Sequence, residues 1–138
     1  MVDRPEFERW RMAAADALRA AEVQADADLH NWSCFLAEQA AQLGVKGLLH
    51  GMGAGAWGHD LEELGRRWAE AGGAELPEDI AAALRRLARH YIPTRYPDAT
   101  PAGPPLKYYG RDDAQAALED ARAVLATADR AWAALESA

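Results

Sequence analysis

Apolar residues recur every three or four positions along nearly the whole chain, the period of an amphipathic helix. From about Pro5 to Ala25, Phe7, Trp10, Ala14, Ala17, Leu18 and Ala21 fall on one face, and Pro5 suits a first helical turn. From about Leu29 to Met52, a stripe of Leu29, Trp32, Phe35, Leu36, Ala40, Leu43, Leu48 and Met52 is expected to face the core. Leu61, Leu64 and Trp68 mark a third helix, about Asp60 to Ala71. A fourth, about Glu78 to Tyr91, carries Ile80, Ala83, Leu84, Leu87 and Tyr91. It opens with acids behind Pro77, and Pro93, which has no N–H and restricts the residue before it, is expected to stop it. The last runs from about Asp112 to Leu135 through Ala114, Leu118, Ala121, Val124, Leu125, Ala128 and Trp132.

The links are short, except Tyr96 to Gly110. That segment holds Pro97, Pro101, Pro104 and Pro105, and a loop of this length in a small domain is functional or mobile. The pattern predicts an all-α fold, an antiparallel up-and-down bundle of about five helices in one domain spanning residues 1–138. Composition supports this, because alanine dominates the apolar set while valine and isoleucine are scarce. Five tryptophans supply the bulk that alanine lacks. No apolar run reaches the roughly 20 residues of a membrane span, and Met1 to Glu6 carries no signal-peptide pattern. Cys34 is the only cysteine, which fits a cytoplasmic protein. Its neighbours Trp32, Phe35 and Leu36 suggest a buried thiol.

Charge singles out one region. The protein carries a net charge of −7, yet no acidic residue occurs from Ile80 through Pro97, where Arg85, Arg86, Arg89 and Arg95 lie. Overall acidity argues against general coating of nucleic acid, so an anion would be met locally, around Arg85 to Asp98. The plain alternative is a set of cations at the negative end of a helix dipole, with Arg95 and Asp98 paired across a turn. Arg85 and His90 are the pair that metal-free RNA cleavage would use, arginine stabilising the phosphorane and histidine moving protons. Five positions on a regular helix rotate by about 500°, which leaves these side chains about 140° apart unless the helix distorts or a second subunit contributes. A solvated Arg/His face is the simpler reading.

Other constellations point to less. Gly51-Met52-Gly53-Ala54-Gly55 follows a helix rather than a strand and lacks Gly-Lys-Ser/Thr, so it reads as a helix C-cap and turn rather than a phosphate loop. His30, His50, His59 and His90 have no metal-ligand spacing, and neither a metal nor a cofactor is expected. His59 is placed to help cap the third helix. Lys46, near Gln39, is read as snorkelling beside the apolar stripe, and Tyr108 and Tyr109 either stack on a base or seal the bundle.

Three stretches, in order, resemble the HEPN domain family. They are Ala37-Glu38-Gln39-Ala40-Ala41-Gln42-Leu43-Gly44-Val45-Lys46-Gly47-Leu48-Leu49, then Gly58-His59-Asp60-Leu61, then Tyr91-Ile92-Pro93-Thr94-Arg95-Tyr96-Pro97-Asp98. Gln42 replaces the usual glutamate, Gly44 and Gly47 replace alanine-like residues and are expected to loosen the helix, and tyrosine directly follows His90. The resemblance implies a helical bundle, a homodimer, and a nucleotide- or RNA-binding component that acts with a minimal nucleotidyltransferase in a toxin–antitoxin-like module. Lys46, His59, Arg89, Arg95, Tyr96 and Asp98 are the binding candidates. A metal-independent endoribonuclease using Arg85 and His90 is one alternative, and a structural interaction module is another.

Overall fold

The Asp3 carboxylate accepts a hydrogen bond from the Glu6 N–H and Pro5 occupies the first turn, so the first helix starts where its free N–H groups are satisfied. In the computed structural model, which describes residues 2–138, this helix is α1, Arg4–Asp26. It is followed by α2 (His30–Gly51), α3 (Leu61–Gly72), α4 (Glu78–Ala88) and α5 (Arg111–Glu136), with short 3-10 turns at Pro97–Ala99 and Pro105–Tyr108. The fold is all-α, with no strand among the described residues. No helix there is long and apolar enough to cross a membrane.

Asp28 adopts a left-handed conformation (φ 61°) in the turn between α1 and α2, a geometry that aspartate tolerates better than most residues. The Asp3 N–H donates to the Gly51 carbonyl at 2.7 Å, tying the start of α1 to the end of α2 and making the pair antiparallel. At that end Gly53 takes φ 78°, and the Gly53 and Ala54 amides bond back to His50 and Leu49, a Schellman closure.

α2 is the centre of the molecule and packs against the other four helices. It is therefore buried on more than one side, and the predicted stripe needs correction. Ala40 and Leu48 are buried, but Leu29 and Trp32 are exposed, and Phe35, Leu36, Leu43 and Met52 are only partly covered. The tightest contacts fall instead to small residues. A Cβ at Gly47 would stand 2.6 Å from Trp10 Cβ, and one at Gly51 would stand 2.6 Å from the Trp132 ring. Gly44 lies against Leu125. These glycines do not loosen α2; they let α1 and α5 approach it. Phe7 stacks on Trp132 at 4.3 Å and closes the core at that end. Cys34 is fully buried, and burial pushes its thiol up to about 12.

α4 is shorter than its periodicity predicts. It ends at Ala88, and the His90 and Tyr91 amides then bond three residues back, to Leu87 and Ala88. Pro93 lies beyond this end. The chain instead turns inward at Thr94, which is fully buried, donates to the His90 carbonyl at 2.6 Å, and offers its own carbonyl to the Asn31 amide at 2.9 Å. The loop after α4 is thereby fastened to α2. The proline-rich segment is ordered by Tyr108, whose hydroxyl bonds both the N–H and the carbonyl of Ala102.

Candidate functional site

α2 places Glu38, Gln42 and Lys46 four residues apart on one face. Glu38 is 0% exposed and has no cation within ion-pair distance among the described residues. Two side-chain amides hold it, with Gln39 Nε2 donating to Oε1 at 2.8 Å and Gln42 Nε2 to Oε2 at 2.6 Å. Burial pushes the carboxyl up to about 7, against the opposing pull of these amides and of the Arg95 and Lys46 charges. Burial also lowers the Lys46 ammonium, and Glu38 partly offsets this.

Gln42 extends the cluster to the start of α3. Its amide also donates to the His59 carbonyl at 3.1 Å, and its Oε1 lies 3.3 Å from His59 Nδ1. The expected role of His59 in capping α3 falls instead to Asp60, which accepts from the Glu62 and Glu63 amides. The His59 ring stacks on Tyr91 at 5.2 Å and 14°.

The loop after α4 supplies the cation. Arg95 Nε and Nη2 donate to the Tyr91 carbonyl at 2.9 and 2.6 Å, leaving Nη1 outside these bonds. The guanidinium lies over Phe35 at 4.4 Å, Tyr91 at 4.6 Å and Tyr96 at 5.0 Å. Trp32 meets Phe35 edge-on, extending the aromatic surface along α2. The anticipated Arg95–Asp98 pair does not form. Asp98 sits exposed in the 3-10 turn, and Arg95 is used by the backbone and the rings.

Lys46, His59, Arg95 and Tyr96 thus gather around Glu38 and Tyr91. The remaining candidates lie elsewhere. Arg85 is exposed and pairs with Glu78 at 3.2 Å. Arg86 forms a two-pronged pair with Asp120 at 2.9 Å, joining α4 to α5. Arg89 is exposed at the end of α4. His90 is half-buried against the edge of Tyr109, its Nδ1 has no partner, and burial lowers its pKa. No contact joins Arg85 to His90. Tyr109 seals the bundle there, while Tyr108 stays partly exposed. No group of three His, Cys, Asp or Glu side chains is arranged to hold a metal among the described residues.

Glu38, Gln42, Phe35 and Tyr91 are the members of the cluster that sequence reasoning did not assign to it. A signal was present, because polar residues at 38, 42 and 46 mark one line along an alanine- and leucine-rich helix.

Residues 7–131, which include every member of this cluster, match the HEPN domain. The chain belongs to the HEPN domain family. Its fold is similar to that of TT1696 from Thermus thermophilus, with 38% identity and a TM-score of 0.87 over 91% of this chain and 98% of that one. It is also similar to ST0689, described as an archaeal HEPN homologue, at 30% identity and a TM-score of 0.76 over 90% of this chain and 95% of that one. A HEPN domain protein from Thermotoga maritima aligns at 27% identity and a TM-score of 0.70, covering 91% and 98% of the two chains. No curated protein matches. In this HEPN protein the three stretches that carried the resemblance meet in space: the α2 run, the residues before α3 and the loop after α4 are the three sources of the Glu38–His59–Arg95 cluster.

Proposed function

We propose that this HEPN protein binds a nucleotide or RNA at the Arg95 cluster, as a homodimer acting with a minimal nucleotidyltransferase partner. One observation carries the binding reading: Arg95 is held by two hydrogen bonds to the Tyr91 carbonyl while its flat face lies among Phe35, Tyr91 and Tyr96. A guanidinium fixed in this way is preorganised to receive a phosphate, because its side-chain entropy is already lost. Tyr96 and His59 are exposed beside it and offer rings on which a base can stack. Lys46 supplies a second cation on the same side of α2. In a protein of net charge −7, such a local site favours a short ligand or a single contact region over long duplex nucleic acid.

Titration of labelled oligoribonucleotide and of ATP against wild type and Arg95→Ala tests the site. A charge-assisted hydrogen bond is worth roughly 1.5–3 kcal/mol, so the substitution should weaken binding by at least about tenfold. Unchanged affinity for both ligands would remove Arg95 from the site. The same RNA incubated in EDTA provides a second outcome. Cleavage lost on His90→Ala would replace binding with the endoribonuclease reading. Co-expression with the product of an adjacent nucleotidyltransferase gene should give one complex on gel filtration, and sedimentation of the protein alone should give twice the chain mass.

A further inference from the structure

Glu38 has no packing reason to be a glutamate. It is completely buried on the central helix, where a leucine would fill the space without the desolvation cost of a carboxyl group. Its polar atoms face two glutamine amides, and one of these leads straight to His59.

Gln42 has one NH2 group and one carbonyl oxygen. The NH2 donates to Glu38 Oε2 at 2.6 Å and to the His59 carbonyl at 3.1 Å. The His59 carbonyl is always an acceptor, and Glu38 Oε2 is one once the carboxyl is ionised, so above about pH 7 the amide cannot turn over without setting oxygen against oxygen. Its Oε1 must therefore be the atom that faces His59 Nδ1, 3.3 Å away, and an oxygen there calls for a proton on Nδ1. A neutral imidazole with its proton on Nδ1 keeps a lone pair on Nε2.

We propose that Glu38 is a positioning residue which, through Gln42, fixes the Nδ1–H tautomer of His59 so that Nε2 accepts a hydrogen bond from a hydroxyl or amino group of the bound nucleotide. This rests on the nucleotide- or RNA-binding reading for the ligand, but the tautomer follows from the chain alone. The groups that face Glu38 are Gln39, Gln42 and Lys46 from α2 and Arg95 from the loop after α4, with His59 reached through Gln42. Arg95 marks where the phosphate would lie, and the His59 ring on Tyr91 is where an uncharged part of the same ligand would be read. The site would thus take a ligand with an anionic group and a neutral donor close together, as nucleotides have.

Long-range ¹H–¹⁵N NMR of the imidazoles at about pH 8, where histidines are largely neutral, reads the tautomer without any ligand. His59 should carry its proton on Nδ1 in wild type. Glu38→Leu and Gln42→Leu should both shift it toward the Nε2–H form usual for free imidazole. Glu38→Gln keeps an oxygen for Gln42 and should retain the wild-type tautomer. In binding, Glu38→Leu and Gln42→Leu should each weaken an oligoadenylate probe by roughly tenfold, and the double variant by no more than either alone, since they act through one chain of bonds. An unchanged His59 tautomer in folded Glu38→Leu would overturn the proposal. So would an Nε2–H tautomer in wild type. Should Arg95→Ala bind the probe as well as wild type does, the ligand reading fails, and the NMR result still decides the role of Glu38. A tenfold loss in Arg95→Ala with none in Glu38→Leu would instead sink the positioning role alone.

Discussion

A carboxyl that is neutral at mildly acidic pH only when the chain is folded must make stability depend on pH in an uncommon direction. Glu38 is pushed from 4.5 to about 7 by burial. Between those values the folded chain keeps a proton on Glu38 that the unfolded chain releases, so stability falls as pH rises. The contribution is fully present below about 4.5 and fully lost above about 7. Moving from 4.5 to about 7 corresponds to about 3 kcal/mol, at about 1.36 kcal/mol for each tenfold change in acidity. Glu38→Gln has the same shape and no titration. Urea unfolding of both proteins from about pH 4.5 to about pH 8 reads the effect, since ionisations not coupled to Glu38 cancel in the difference. The variant should gain on wild type by about 3 kcal/mol across that range, or about 10 °C in melting temperature. A stability difference that stays flat with pH would refute the reasoning, and a growing advantage for wild type would show that Glu38 is ionised and stabilised in the fold.

Gly47→Ala should destabilise the protein by about 1–2 kcal/mol in urea unfolding, although alanine is the better helix former by about 1 kcal/mol, because the added methyl meets Trp10 Cβ at 2.6 Å. A stabilised variant would show that α1 and α2 are not so closely packed. Arg86→Ala breaks the exposed pair with Asp120 and should cost less than about 1 kcal/mol of stability while leaving oligonucleotide affinity unchanged. A fall in affinity would move the binding surface onto α4. Cys34, buried and pushed up to about 12, should react with a disulfide reagent only at the rate of chain opening, and become rapidly reactive in denaturant. Fast labelling of the native protein would contradict its burial.

The five helices were legible because each carries a periodic apolar face, and some carry local end signals, such as Pro5 in the first turn of α1 and Pro77 before the acids that open α4. Helix formation depends on neighbours three and four residues apart, and that information is local. Where a tertiary contact competes, the sequence misleads. The α4 pattern runs on to Tyr91, yet the helix ends at Ala88, and the loop beyond it is fastened to α2 by Thr94 and Asn31, which lie 63 residues apart. The α2 stripe misled for a related reason: a helix packed against four others has no single inward face. Gly44 and Gly47 gave no local sign that they are contact points rather than weak positions.

The site divides in the same way. Sequence alone determined that an acidic chain carries an acid-free arginine segment, and that Arg95, Tyr96, His59 and Lys46 lie in motifs of one family. It also offered Arg89 as a binding candidate and Arg85 with His90 as an alternative catalytic pair, because charge and spacing do not say which way a side chain turns after the helix ends. Only the tertiary structure separated them. It committed Arg85 to Glu78, left Arg89 exposed at a helix end, packed His90 against Tyr109, and brought Arg95 over Tyr91 within reach of the field of Glu38. The perturbed state of Glu38 arises from desolvation by residues distant in the chain, a quantity that no local pattern encodes.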